Sequence, residues 1–214
     1  MGYKVVYKGG SGEIEEKKSR FIATVFPVES EEDAVALIAE TRKKYWDARH
    51  NCFAYVVGRN NELQRCSDDG EPNQTAGRPM LDVLLREKIH NVLVVVTRYF
   101  GGTLLGTGGL VRAYQGATKE GLKNCLIIEK CSGKKLVITT DYNAIGKIQY
   151  ILSREEIMIL DTEYTESVVI TAMIPDEKKE KVEKEIMEGT GAKAGISWGD
   201  SVCYALIGKK IEIF

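Results

Sequence analysis

The apolar positions of this chain change their period several times, and each change predicts an element. Residues 92–96, Val-Leu-Val-Val-Val, form a short, β-branched, uninterrupted run, which predicts a strand buried on both faces. Five glycines follow within nine residues, and a helix is expected to start near Gly109 and run through Leu122. Upstream, residues 4–7, 12–17 and 20–28 partly alternate polar with apolar side chains, as half-buried strands do. Ser30-Glu31-Glu32-Asp33 predicts the capped start of an amphipathic helix, with Ala34, Leu37, Ile38 and Tyr45 as its buried stripe. A strand at 52–58, a long polar loop at 59–77 and a helix at 79–88 complete the first half.

The segment Cys131-Ser132-Gly133-Lys134-Lys135 is a polar break between two apolar stretches, and it predicts a boundary between domains at 1–132 and 136–214. Beyond it the pattern predicts a strand at 136–142, a helix at 144–154 and two strands at 158–164 and 167–174 with a hairpin tip at Thr165-Glu166. A charged helix opened by Pro175-Asp176 runs through Met187, and a last strand covers about 201–207. That order is βαββαβ, the ferredoxin-like split unit. The fold class expected is therefore α+β in two domains, not doubly wound.

A chain of 214 residues accommodates two cores of roughly 100 residues each. No apolar run approaches the roughly 20 residues needed to span a bilayer, and the N-terminus lacks the apolar core of a signal peptide. The expected location is the cytoplasm. Five scattered cysteines without a Cys-x-x-Cys pair make a disulfide scaffold or structural zinc site improbable. Near-neutral charge hides an asymmetry: residues 1–135 hold 21 Lys/Arg against 17 Asp/Glu (+4), and 136–214 hold 9 against 14 (−5). If the chain binds an acidic polymer, the first half binds it.

Candidate chemistry concentrates in the glycine loop. Gly101, Gly102, Gly106, Gly108 and Gly109 lack the Cβ atoms that would keep a ligand from the backbone, and the helix after them points unpaired N–H groups into the loop. Arg98 and Arg112 stand at its shoulders, where two guanidiniums could share a phosphate. The loop has no Lys-Ser/Thr pair of a P-loop and not the spacing of the dinucleotide fingerprint. The plainer alternative is that the glycines only permit a tight strand-to-helix connection. Tyr99 and Tyr114 are candidate stacking surfaces for an unpaired base, whereas Phe100, set among apolar residues, is expected in the core.

Asp68, Asp69 and Glu71 form an acidic loop, able to hold a divalent cation or to accept from arginines and helix N–H groups. The first two are expected to hold Arg98 or the loop in place. His50, beside Asp47 and Cys52, could be a base or metal ligand, though one histidine at a junction more often bonds locally. Cys52 is expected to be a small core residue. Two histidines and no His-Glu-x-x-His segment exclude the usual zinc-protease pattern.

Three separated motifs together resemble the signature of the IMPACT/YigZ family: residues 47–52, Asp-Ala-Arg-His-Asn-Cys; Ser67-Asp68-Asp69-Gly70-Glu71-Pro72 with Thr75-Ala76-Gly77; and residues 95–102, Val-Val-Thr-Arg-Tyr-Phe-Gly-Gly, with residues 105–114, Leu-Gly-Thr-Gly-Gly-Leu-Val-Arg-Ala-Tyr. The chain departs from that signature at Asn73-Gln74, where a small residue and glycine usually precede the threonine. The resemblance implies a first domain similar to domain IV of elongation factor G and a ferredoxin-like second domain similar to that factor's last one. It also implies a link to translation control, which the eukaryotic relative exerts through protein contacts in a stress-kinase pathway. The function expected is a non-enzymatic protein without a cofactor that binds RNA or the ribosome and modulates translation. Two alternatives stay open: a metal-dependent, peptidase-like hydrolase using Asp68, Asp69, Glu71, His50 and Asp47, and a protein-interaction module, which the modest +4 charge favours.

Overall fold

Alternation along one central strand decides how the first half is layered. In the computed structural model, which describes residues 2–208 and 210–214, strands β1 (Tyr3–Lys8), β2 (Gly10–Glu16) and β3 (Ser19–Pro27) precede helix α1 (Glu31–Lys44). Then come β4 (His50–Val57), β5 (Leu63–Ser67), α2 (Gly77–Glu87), β6 (Ile89–His90), β7 (Val92–Tyr99) and α3 (Thr107–Lys123). Five of these strands form a sheet in the order β2-β3-β7-β4-β5, every neighbouring pair antiparallel. In β7, Val92, Val94 and Val96 enter the core made with α2 and α3, while Leu93 and Val95 enter a second core under α1. Each such burial stabilises by about 1.5–3 kcal/mol relative to exposure.

The cap of α1 forms as its sequence requires. Ser30 Oγ accepts from the Asp33 N–H at 3.1 Å and Asp33 accepts in return from the Ser30 N–H, also at 3.1 Å. Ala34 and Ile38 are buried on its inner face. Two differences from the sequence pattern stand out. Strand β5 lies inside the stretch expected to be loop; its residues are exposed or half-exposed, so no apolar period announces it, and pairing with β4 alone makes it a strand. The polar stretch at 131–135 does not interrupt the backbone either, because β8 (Leu126–Thr140) runs through it.

The chain divides into two compact units, Tyr3–Glu129 and Lys130–Phe214. In the second, β8 is followed by α4 (Ile145–Arg154), β9 (Met158–Tyr164), β10 (Val168–Pro175), α5 (Lys179–Thr190), β11 (Gly195–Ile207) and β12 (Lys210–Ile213). The strand order β9-β10-β8-β11 is antiparallel throughout, which is the ferredoxin-like arrangement, and β12 adds a hairpin strand beyond β11. Leu136, Ile138, Ile148, Leu152, Ile170 and Ile186 fill its core. The fold is α+β in two domains. No helix among the described residues is long and apolar enough to cross a membrane.

Candidate functional site

Four separated segments meet at one end of the first sheet. The antiparallel register sets His50 of β4 opposite Arg98 of β7, and the chain then leaves β7 through Phe100 toward the start of α3. A cavity of about 420 Å³ opens there, lined by Arg49 and His50, Glu71 and Pro72, Arg98 and Phe100, and the stretch Leu104, Leu105, Gly106, Thr107 and Leu110. Residues from all three sequence motifs therefore share one site.

Behind it runs a buried polar chain. Arg98 Nη1 donates to Glu71 Oε1 at 2.6 Å, the Tyr114 hydroxyl donates to the same oxygen at 2.8 Å, and the Cys52 thiol donates to the Tyr114 oxygen at 3.3 Å. Arg98 lies between the rings of Phe21 and Phe100, 5.3 and 5.6 Å from their centroids, and is only 6 % exposed. This corrects the expectation that Arg98 shares an anion with Arg112: Glu71 already neutralises it. The Arg98 Nε, buried, has no hydrogen-bond partner among the described residues. Tyr114 is likewise no stacking surface, because it is wholly buried beneath Phe21. Burial lifts its hydroxyl far above the ordinary phenol range, and burial also lifts the Cys52 thiol. Cys52 is a core residue, and its thiol is not a nucleophile at neutral pH.

The acidic loop is occupied by its own backbone. Asp68 accepts from the N–H groups of Gln74, Ala76 and Gly77 at 2.8–2.9 Å, filling the start of α2 that no side-chain cap serves. Asp69 accepts from the Asn51 N–H and from Arg42, and its carbonyl lies 2.9 Å from His50 Nδ1. Asp68 and Asp69 bond within the loop and to its neighbours, and neither bonds to Arg98; Glu71 does. Gln74 has φ +61, the left-handed conformation that favours glycine, which accounts for the glycine usual at that place. Asp68→Ala is expected to destabilise this unit by about 2 kcal/mol, since three backbone donors lose their acceptor together. Asp68→Asn, keeping one oxygen, should lose less. A urea midpoint unmoved by Asp68→Ala would mean that other acceptors serve these groups.

The glycines divide by role. A Cβ on Gly101 would fall 2.0 Å from the Lys18 backbone, so Gly101 serves a close strand approach and not a ligand. Gly102 and Gly106 have positive φ and open surroundings. Gly106 is the N-cap of α3 and has no side chain to cap the first-turn N–H groups of Thr107, Gly108 and Gly109. The Arg112 guanidinium folds back over this turn, 3.7 Å from where a Gly108 Cβ would stand, and Gly109 packs against Leu105. Tyr99 is half-buried; its hydroxyl donates to Asp47 at 2.8 Å, and that bond raises its pKa. Phe100, expected in the core, is 53 % exposed at the rim of the cavity.

Among the described residues no three His, Cys, Asp or Glu side chains converge as a metal site would require. Sequence patterns had not singled out Leu104 or Trp46, which are 82 % and 83 % exposed. For Trp46 a signal was present, the basic and aromatic run Arg42-Lys43-Lys44-Tyr45-Trp46 ending at Arg49.

The model of the Impact N-terminal domain matches residues 17–122, and that of a domain of unknown function, DUF1949, matches residues 138–193. The chain is 37% identical to the IMPACT family member YvyE of Bacillus subtilis over 198 residues, covering 92% of this chain and 91% of that one. It is 36% identical to the IMPACT family member YigZ of Escherichia coli over 164 residues, 76% of this chain and 80% of that one. A solved structure described as that of a hypothetical protein superposes with a TM-score of 0.59 at 30% identity, over 91% of this chain and 96% of the other. The mouse protein IMPACT is 38% identical over 98 residues, 44% of this chain and 30% of its own length, which confines that likeness to part of each protein. Matched over nearly its whole length by bacterial relatives, and carrying the domain model across its cavity-bearing unit, the chain belongs to the IMPACT family.

Proposed function

We propose that this chain is a cytoplasmic, non-enzymatic RNA-binding protein that acts in translation and contacts phosphate at the start of α3. The observation that carries the reading is the first turn of α3, with no side-chain cap, an arginine folded over it and a cavity beside it. A helix start of this kind offers neutral donors and the positive end of a dipole. Arg112 and Arg49, both exposed, supply charge, while Arg98, held by Glu71, shapes the wall. The family resemblance supplies the translation context.

The test is co-sedimentation with ribosomes across a salt series, comparing wild type with the Arg49→Ala, Arg112→Ala double variant. Two lost phosphate contacts should lower the slope of log K against log salt by about 1.4–1.8. Wild type left in the supernatant at low salt, or a variant with the wild-type slope, overturns the reading. A second reading, a protein-interaction module, is favoured by exposed Phe100 and Leu104 at the cavity rim. It predicts that Leu104→Ala, and not the arginine pair, abolishes association.

A further inference from the structure

Helix α1 separates its charges, with Glu31, Glu32 and Asp33 in the first turn and Arg42, Lys43 and Lys44 in the last. Complementing the helix dipole accounts for that arrangement. It does not account for Trp46, which follows in the turn after the helix and leaves 83 % of its surface in water. What sets this aromatic side chain apart is its setting, a run of four cations within eight residues, closing with Arg49. Arg42 is held by Asp69 at 2.6 Å and the single acid of the run, Asp47, accepts from the Tyr99 hydroxyl, so Lys43, Lys44 and Arg49 outnumber the one carboxylate among them.

The Asp47–Tyr99 bond also fixes where the turn stands. It ties residues 45–49 to the end of β7, one residue before Phe100 at the cavity rim, and Arg49 lines that same cavity. An aromatic platform, flanking cations and a phosphate-suited helix start thus succeed one another along one end of the first unit. Aromatic rings set in a basic track are how proteins hold single strands irrespective of sequence, since every base has a face to stack.

We propose that Trp46 is a stacking platform for an unpaired base of single-stranded RNA, whose backbone is tracked by Lys43, Lys44 and Arg49 toward the start of α3. The proposal rests on the RNA reading given above and adds the state of the RNA: bases must be unpaired to reach the indole. Duplex RNA, with its bases stacked inside, is excluded from this contact.

The probe is an adenylate strand of about ten nucleotides, within the span of one such track, alone and annealed to its complement. The protein has two tryptophans, and Trp198 donates to Glu183 in the other unit, so a Trp198→Phe background leaves Trp46 as the emitter. The single strand should quench Trp46 emission and the duplex should not. In the natural background, with the strand labelled, Trp46→Ala should weaken binding by about 5- to 150-fold at an unchanged salt slope, because stacking releases no counterions. Trp46→Phe should recover part of the loss. Binding that depends on Arg112 but leaves the emission and the Trp46→Ala affinity unchanged overturns the proposal while the phosphate reading stands. A strand that does not bind the wild-type protein at low salt overturns both.

Discussion

Glu71→Ala is expected to lower the stability of the first unit by about 3–5 kcal/mol, the cost of leaving one member of a buried ion pair without its partner. Both side chains are at least 93 % buried, and one carboxylate oxygen receives both Arg98 and the Tyr114 hydroxyl. The guanidinium is packed between Phe21 and Phe100 on the central strand and is only 6 % exposed. Since domains are stable by about 5–15 kcal/mol, the variant should lose about a fifth or more of its margin. The loss is read from amide hydrogen exchange in β7, which reports on opening of this unit alone. Glu71→Gln keeps an acceptor and should cost less. The double variant Glu71→Leu, Arg98→Met, which removes both charges, should regain most of what Glu71→Ala loses. A double variant no more stable than the single one would show that packing, and not the orphaned charge, sets the cost. The surface pair Glu13–Arg20, with both members well exposed, should matter far less.

How much of this arrangement can be read before folding depends on whether a residue's neighbours are close in sequence. The run at 92–96 predicts a strand covered on both faces, and β7 is that strand, because continuous burial leaves a continuous apolar pattern. The α1 cap and the βαββαβ order are legible for the same reason, each resting on spacings within a few residues. Strand β5 is illegible because an edge strand owes its conformation to hydrogen bonds with β4 and not to its own side chains. The continuation of β8 through Cys131–Lys135 likewise comes from pairing: β10 and β11 flank it, and a polar residue suits a strand whose outer face is wet.

Residues from the three motifs line one cavity, and chemistry sorts within them only after folding. Arg98 and Arg112 are alike in sequence, yet one stands on a buried strand opposite Glu71 and the other on an exposed helix surface. Tyr114 and Phe100 exchange their expected places, since the helical period turns Tyr114 inward while the chain turns out of the sheet at Phe100. The partner of Arg98 is 27 residues away, and no local pattern chooses Glu71 over Asp68 or Asp69. What chooses is that Asp68 is drawn to the start of α2 and Asp69 to Asn51 and Arg42, leaving Glu71 to turn inward.

The same buried chain predicts that the first unit weakens in alkali, beginning near the ordinary thiol pKa of about 8.5. Cys52 and Tyr114 are wholly buried, hydrogen-bonded to each other, and both raised above their ordinary values, Cys52 by burial and Tyr114 chiefly by burial and then by the thiol beside it. A group raised on folding contributes its full stability below its ordinary pKa and loses it as pH climbs from that value toward the folded one. With ordinary values near 8.5 for a thiol and 10 for a phenol, going from pH 9 to 11 should cost about 4 kcal/mol, about two thirds of it from Cys52. Tyr55, pushed up to about 12 by burial and its bond to Glu31, acts in the same direction. Urea midpoints under reducing conditions, followed by far-ultraviolet circular dichroism, give the dependence. Cys52→Ala should remove most of it and Tyr114→Phe a smaller part, because each deletes a group that only the unfolded chain can ionise. If Cys52→Ala kept the wild-type dependence, the thiol would have to ionise within the fold, and the buried chain from Cys52 to Arg98 would be open to water.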